Sequence, residues 1–104
     1  MDKFFAISAP KRREIIALLA KSSNLTATAI ADHFQISPSA ISQHLKVLLD
    51  CDMVTMHKNA QQRIYELNTE TLLELEKWTQ QMTSQLTNLT DNIIKPKESN
   101  KKPV

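Results

Sequence analysis

The residues best suited to chemistry lie in the segment 37–50, where polar side chains recur along one side of a predicted helix. That polar face carries Ser39, Ser42, Gln43 and Lys46. Hydroxyl and amide groups can hydrogen-bond to base edges in a DNA major groove, and a lysine can bind a backbone phosphate. The same pattern also suits an ordinary amphipathic surface helix, so the neighbouring segments must decide between the two interpretations.

The local sequence marks where this helix begins and which side of it is buried. Ser37 can accept hydrogen bonds from the first free backbone amides, and Pro38 is well placed at the first helical position, where its missing N–H has no helical partner. Apolar residues then follow at helical spacing: Ile41, Leu45, Leu48 and Leu49. They form one stripe, so the pattern predicts a helix that buries this stripe and presents its polar face.

The segments N-terminal to this helix have patterns that predict further helices. Residues 10–21 predict a helix that starts at a proline, with a short helix before it. Residues 22–24 predict a turn in which Asn24 takes the left-handed conformation. Thr26 is the expected N-cap of a helix over residues 27–34. Two short helices joined by a tight turn, the second with a polar face, are typical of a helix-turn-helix.

C-terminal to this helix-turn-helix, the helical spacing of apolar residues gives way to a two-residue period. Residues 53–57 and 63–67 alternate apolar and polar side chains, which predicts two short strands. Residues 58–62 are the expected hairpin loop, with Asn59 at a positive φ angle. A helix-turn-helix followed by a hairpin is the winged-helix arrangement. Four polar side chains of the hairpin can reach phosphates or a minor groove: Lys58, Gln61, Gln62 and Arg63.

A long amphipathic helix is predicted over residues 68–94, followed by a disordered polar tail over residues 95–104. The apolar residues of this helix recur at threes and fours, and one small domain cannot cover a stripe of that length. The exposed stripe therefore favours pairing with a second chain. We divide the chain into a DNA-binding domain (1–67), a dimerisation helix (68–94) and the tail.

Composition limits the remaining classes of function. The net charge is only +2, but residues 1–67 hold eight Lys and Arg against six Asp and Glu, an excess that suits DNA. Three of these cations are consecutive: Lys11, Arg12 and Arg13. They either face phosphates or are simply exposed to solvent, and we favour exposure. No apolar run reaches the length of a membrane span and no signal peptide is recognisable, so we expect a soluble, cytoplasmic protein.

Cysteine and histidine residues form no recognisable metal or catalytic site. The single cysteine, Cys51, excludes an intramolecular disulfide and is interpreted as a packed residue, with a cross-dimer bond as the alternative. His33, His44 and His57 have no ligand-type spacing, and no catalytic triad or carboxylate pair stands out. We predict no enzyme, no metal and no cofactor. The chain contains no glycine, which rules out glycine-rich phosphate loops.

Four segments resemble the ArsR/SmtB family of winged-helix repressors. Residues 9–19 are similar to the family's DPTRRRILELL opening and residues 25–34 to its LTVGELAEAL segment. Residues 36–48 are similar to its LSQPTVSRHLKVL signature, and residues 63–67 match its R-x-Y-x-L strand. The resemblance spans about residues 4–90, and the last helix, with its tryptophan, looks most like the SdpR-like branch.

The resemblance implies a homodimeric bacterial transcription repressor that binds a palindromic operator. It implies base contacts by Ser39, Ser42 and Gln43, and a glutamine where the family often has arginine would favour adenine over guanine. The implied contacts to the DNA backbone are Ser37, His44, Lys46, Lys58, Gln61, Gln62 and Arg63. The implied dimer interface is Phe4, Phe5, Leu72, Leu75, Trp78, Met82, Leu86 and Leu89.

The chain departs from the family pattern in two ways. Where metal sensors of the family carry paired ligands, residues 26–34 offer only His33 and residues 68–94 offer no His or Cys. Asp52 stands where relatives usually have glycine, but aspartate can also adopt a left-handed conformation.

An inducer or a sequestering protein is one expectation, and a repressor without an inducer is another. The alternative function is a winged-helix interaction module whose last helix docks a regulatory partner.

Overall fold

The computed structural model describes the backbone of residues 1–93 and the side chains of residues 1–89. The elements follow one another as α1 (Lys3–Ala6), α2 (Pro10–Ser22), β1 (Asn24–Thr26), α3 (Ala27–Phe34), α4 (Pro38–Asp50), β2 (Val54–Asn59), β3 (Gln62–Leu67) and α5 (Thr69–Ile93). Helices α3 and α4 with the β2–β3 hairpin confirm the predicted winged helix-turn-helix. The predicted tail, residues 95–104, lies outside the described residues.

The chain divides into two compact units. The first, Met1–Leu72, contains helices α1 to α4, the sheet and the first residues of α5, and the second begins at Leu73. The start of α5 is held in the first unit by Thr71, which is buried and donates a hydrogen bond from its Oγ1 to the Asp52 carbonyl oxygen (2.7 Å). The backbone N–H of Asn68 donates to the Met53 carbonyl oxygen (2.9 Å). These bonds anchor the first turn of α5 on the turn that follows α4.

Local hydrogen bonds start the two helices of the helix-turn-helix. The Ala29 N–H donates to Thr26 Oγ1 (3.0 Å), and the Ala40 N–H donates to Ser37 Oγ (3.1 Å). Each hydroxyl satisfies an amide that the helix itself leaves unpaired, which stabilises a helix by about 1 kcal/mol. Both predicted N-caps are therefore confirmed, and Pro38 occupies the first turn of α4 as expected.

The core lies between helices α2, α3 and α4 and the inner face of the sheet. Its largest fully buried side chains are Ile15, Leu19, Ile30, Ile41, Leu45, Leu48 and Met53. Burial of each such side chain contributes about 1.5–3 kcal/mol. Three residues of the apolar stripe predicted for α4 belong to this core, while the fourth, Leu49, is half-buried. The stripe therefore determines which face of α4 remains accessible.

The sheet has three strands rather than the predicted two. Its order is β1-β3-β2, and both pairs are antiparallel. Asn24, the first residue of the additional strand β1, was expected to take the left-handed conformation at the end of a turn over residues 22–24, and this prediction is wrong. Ser23 takes the positive φ angle (71°), and Asn24 pairs with Glu66 of β3. Three residues are too few to show alternation, so pairing with a distant strand creates β1.

Four non-glycine residues have positive φ angles among the described residues: Ser23, Gln35, Asp52 and Ala60. Asp52 was predicted to do so and is confirmed at 58°. The prediction for Asn59 is wrong, because Asn59 pairs with Gln62 in the ladder and the positive angle falls on Ala60 (59°). The hairpin loop is therefore only two residues long, with a positive angle at its first position as in type II′ turns.

Arg12 is buried, which corrects the expectation that the cations of residues 11–13 are simply exposed. Its Nε donates to the Ala6 carbonyl oxygen (2.9 Å), and its Nη2 donates to the Phe5 carbonyl oxygen (2.9 Å) and to Ser8 Oγ (3.2 Å). Helix α1 is so short that its last carbonyls have no helical partners. The Phe5 carbonyl oxygen accepts from the Ser8 N–H (3.1 Å) and from Ser8 Oγ (2.7 Å) as well. The Arg12 guanidinium adds a donor to it and supplies one to the Ala6 carbonyl oxygen, and it therefore ties α1 to α2.

Candidate nucleic-acid interface

The exposed face of α4 gathers the side chains that were predicted to contact bases. Ser39, Ser42 and Gln43 are all exposed, on the side opposite the buried stripe. With Lys46 they occupy positions i, i+3, i+4 and i+7, so they share one face over about 10 Å of helix. This length is about the helical rise of three DNA base pairs. Along it the face offers hydroxyl, amide and ammonium groups in that order.

Lys46 forms a weak ion pair on this face. Its Nζ lies 3.4 Å from Asp50 Oδ2, one helical turn along, and 76% of the lysine side chain is exposed. An exposed pair at this spacing contributes about 0.3–0.5 kcal/mol. A phosphate can therefore replace Asp50 as the partner of Lys46 at little cost.

Ser37 and His44 have surroundings that limit what they can offer to DNA. The Ser37 hydroxyl accepts the helix-capping bond, which leaves its own proton available for a phosphate oxygen. His44 is half-buried, and burial lowers its pKa, with the positive charges of Arg12 and Lys11 lowering it further. The lowered pKa favours the neutral imidazole, which can serve as a hydrogen-bonding group.

The hairpin separates the four residues predicted to contact the DNA backbone there. Lys58 and Arg63 stand opposite each other in the register, and Gln62 is paired with Asn59. Because side chains alternate along a strand, Gln62 lies on the other face of the sheet from Arg63. Gln61 lies in the two-residue loop. The structure therefore brings the two cations together and places the two glutamines elsewhere, although all four side chains are exposed.

Each unit exposes apolar side chains that were predicted to form a dimer interface. In α1, Phe4 and Phe5 are 38% and 44% exposed, and the Arg12 guanidinium lies 5.0 Å from the centre of the Phe5 ring. On α5, Leu72 and Leu75 are half-buried. Among the residues of α5 whose side chains are described, the exposed large apolar ones are Leu73, Trp78, Met82, Leu86 and Leu89. Leu73, at 55% exposure, was not predicted because it lies outside the regular spacing.

The described residues contain no group of three or more His, Cys, Asp or Glu side chains that could hold a metal ion. Cys51 is buried at the end of α4, and this burial raises the pKa of its thiol. Among the helices of the described part, none is long and apolar enough to cross a membrane.

Comparisons with known proteins identify relatives of the chain. Residues 9–56 match the model of a family described as bacterial regulatory proteins of the arsR family. The transcriptional repressor SdpR of Bacillus subtilis (strain 168) is 43% identical over 75 residues, which cover 72% of this chain and 82% of SdpR. An arsenical resistance operon repressor of Staphylococcus xylosus is 41% identical over 66 residues, 64% of this chain and 62% of that protein.

Solved structures show the same fold. The crystal structure of a possible transcriptional regulator for arsenical resistance is 31% identical and superimposes with a TM-score of 0.73, covering 94% of this chain and 99% of that one. HlyU from Vibrio cholerae N16961 is 28% identical with a TM-score of 0.62, covering 74% and 84% of the two chains. The residues that match the family model, 9–56, include the helix-turn-helix and the first residues of β2.

Proposed function

The chain belongs to the ArsR family of bacterial regulatory proteins, which are transcriptional regulators and not enzymes, and we propose that it represses transcription by binding a palindromic operator as a homodimer. The observation that carries this proposal is the exposed polar face of α4, positioned by the burial of Ile41, Leu45 and Leu48 on its other side. A helix anchored in this way can enter a major groove without losing its packing.

In the proposed complex Ser39, Ser42 and Gln43 read base edges, and Gln43 pairs with the N6 and N7 atoms of an adenine. Contacts to phosphates position the protein and supply the salt-dependent part of the affinity. We assign this role to Ser37, His44, Lys46, Lys58, Gln61, Gln62 and Arg63. His44 acts there as a neutral hydrogen-bonding group, consistent with its lowered pKa.

A second copy of the chain completes the proposed repressor. Its twofold symmetry sets two α4 helices roughly 34–36 Å apart, one turn of DNA, so that each reads one half of an inverted repeat. We propose that the apolar residues of α1 and α5 form this interface: Phe4, Phe5, Leu72, Leu75, Trp78, Met82, Leu86 and Leu89. Repression is then steric, because the bound dimer occupies the DNA that the transcription machinery needs. We expect this to happen in the cytoplasm.

Two parts of the proposal concern partners other than DNA. An inducer or a sequestering protein stays a prediction, as does a repressor without an inducer. The alternative function, a module whose last helix docks a regulatory protein, draws on the same exposed residues of α5. The two functions differ in whether the purified protein binds DNA with sequence preference.

The deciding experiment is selection of bound DNA from a random pool at about 150 mM salt, followed by titration of the selected site. We expect an inverted repeat that binds at least ~10³-fold more tightly than random DNA. Weak binding without enrichment of any sequence would contradict the repressor and favour the partner-docking module. Titration with DNA containing one half-site then measures how much of the affinity depends on the dimer.

A further inference from the structure

The β2–β3 hairpin places two cations directly opposite each other near its tip. Lys58 pairs with Arg63, one step before the last pair of the ladder. Residues opposite each other in antiparallel strands have Cβ atoms about 4.5–5.5 Å apart. Both side chains are exposed, and neither forms an ion pair within the described part of the chain. The tip therefore carries two adjacent positive charges that no carboxylate of residues 1–89 neutralises.

Both charges lie on the inner face of the sheet. Because side chains alternate along a strand, Lys58 shares a face with Val54, and Arg63 shares a face with Tyr65. Val54 and Tyr65 are buried where the helices pack on the sheet. The uncharged residues of the last pair, Asn59 and Gln62, lie on the outer face. The positive charge of the hairpin is therefore concentrated on the side of the sheet on which α4 packs.

This arrangement destabilises the free protein. Like charges directly opposite each other weaken a strand pair, where opposite charges would strengthen it. The tip is disfavoured further by Ala60, whose positive φ angle suits glycine better than alanine. Neither feature improves the packing of the core. An anion placed between the two cations would remove the repulsion, so binding of such an anion would stabilise the hairpin.

We propose that Lys58 and Arg63 form one phosphate clamp, in which both side chains bind the same phosphate group of the DNA backbone. This inference rests on the DNA-binding function proposed above. The arginine guanidinium can bind two phosphate oxygens as a fork, and the lysine ammonium adds a point charge to the same group. Because the shared phosphate cancels the repulsion between them, the two cations bind cooperatively, and loss of either removes most of the clamp.

A double-mutant cycle on operator affinity tests the clamp, with Lys58→Gln, Arg63→Gln and the double variant. Each single change should weaken operator binding about five- to tenfold, and the double change should weaken it about as much as one single change. The slope of log K against log salt should fall by about 0.9 per half-site in the double variant, because one phosphate per half-site is no longer neutralised. Lys21→Gln removes an exposed cation from the end of α2 and controls for net charge.

Two independent phosphate contacts would give a different result. The affinity losses of the single variants would then multiply in the double variant, and the slope would fall by about 1.8 per half-site. Either result overturns the clamp while leaving DNA binding intact. If the wild-type protein selects no operator, the proposed function fails instead, and the clamp itself can still be tested without DNA.

The test without DNA compares thermal unfolding in sodium phosphate and in sodium chloride at equal ionic strength. In chloride, each single variant should unfold at a higher temperature than the wild type, because the repulsion is gone. Inorganic phosphate should raise the unfolding temperature of the wild type and of Lys21→Gln more than that of Lys58→Gln or Arg63→Gln. An equal response of all four proteins overturns the clamp.

Discussion

At the scale of single residues, the buried charge of Arg12 has a structural role. Its guanidinium donates three hydrogen bonds to the segment that ends α1, including the carbonyl oxygens of Phe5 and Ala6. Hydrogen bonds to charged groups contribute more than neutral ones, and loss of Arg12 removes the donor that its side chain supplies to the Ala6 carbonyl oxygen. Arg12, for which the sequence left phosphate contact and simple exposure open, is therefore occupied within the protein.

Arg12→Gln should lower the free energy of unfolding by about 2–3 kcal/mol, measured by urea denaturation followed by circular dichroism. Arg13→Gln is the matched control. Arg13 is exposed and donates a single hydrogen bond, to the Ile7 carbonyl oxygen (2.8 Å), so its loss should matter by less than about 1 kcal/mol. Equal losses in the two variants would show that Arg12 does not have the structural role assigned here.

Gln43→Ala tests base reading by α4. The change should weaken binding to the selected operator by about 1–3 kcal/mol and relax the preference at one base pair of each half-site, with little effect on random DNA. Competition titrations against single-base operator variants measure both effects. Gln80→Ala, at an exposed glutamine of α5, should leave both unchanged. A Gln43→Ala variant that loses specific and random DNA equally would remove Gln43 from the base-reading set.

At the scale of elements, the hairpin loop can be tested through Ala60. Ala60→Gly should raise the free energy of unfolding by about 0.5–1 kcal/mol, because glycine adopts a positive φ angle without the penalty that a Cβ atom imposes. Ala17→Gly makes the same change at an exposed position within helix α2. There it should lower the stability by about 0.5–1 kcal/mol. Two shifts of the same sign in urea denaturation would contradict the backbone explanation.

The elements also show which local signals are sufficient. Helix α4 was predicted from its cap at Ser37, its proline and its apolar stripe, all of which act within a few residues of one another. Strand β1 was missed, because its three residues become a strand only through pairing with β3, about forty residues further along. The hairpin was predicted, but its loop was too long by three residues, since pairing of Asn59 with Gln62 extends both strands.

At the scale of the whole molecule, α5 carries apolar surface that a second copy should cover. Met82→Lys should weaken dimerisation at least about tenfold, because pairing would bury an unpaired charge. Sedimentation equilibrium over a range of concentrations measures the change. Gln80→Lys introduces the same charge at an exposed polar position of the same helix and should leave the dimer intact. A wild-type protein that stays monomeric throughout would contradict the homodimer and favour a different partner for α5.

The sequence by itself determined the order of the helices, the cap of α4 and the polar face on which Ser39, Ser42 and Gln43 stand. These features depend on periodicity and on hydrogen bonds between near neighbours, which a single segment contains. Only the tertiary structure decided that Arg12 serves the junction of α1 and α2, and that Lys58 and Arg63 share a face from which Gln62 is excluded. Those outcomes depend on strand register and on which carbonyl groups are left unsatisfied, and both are set by contacts between different elements.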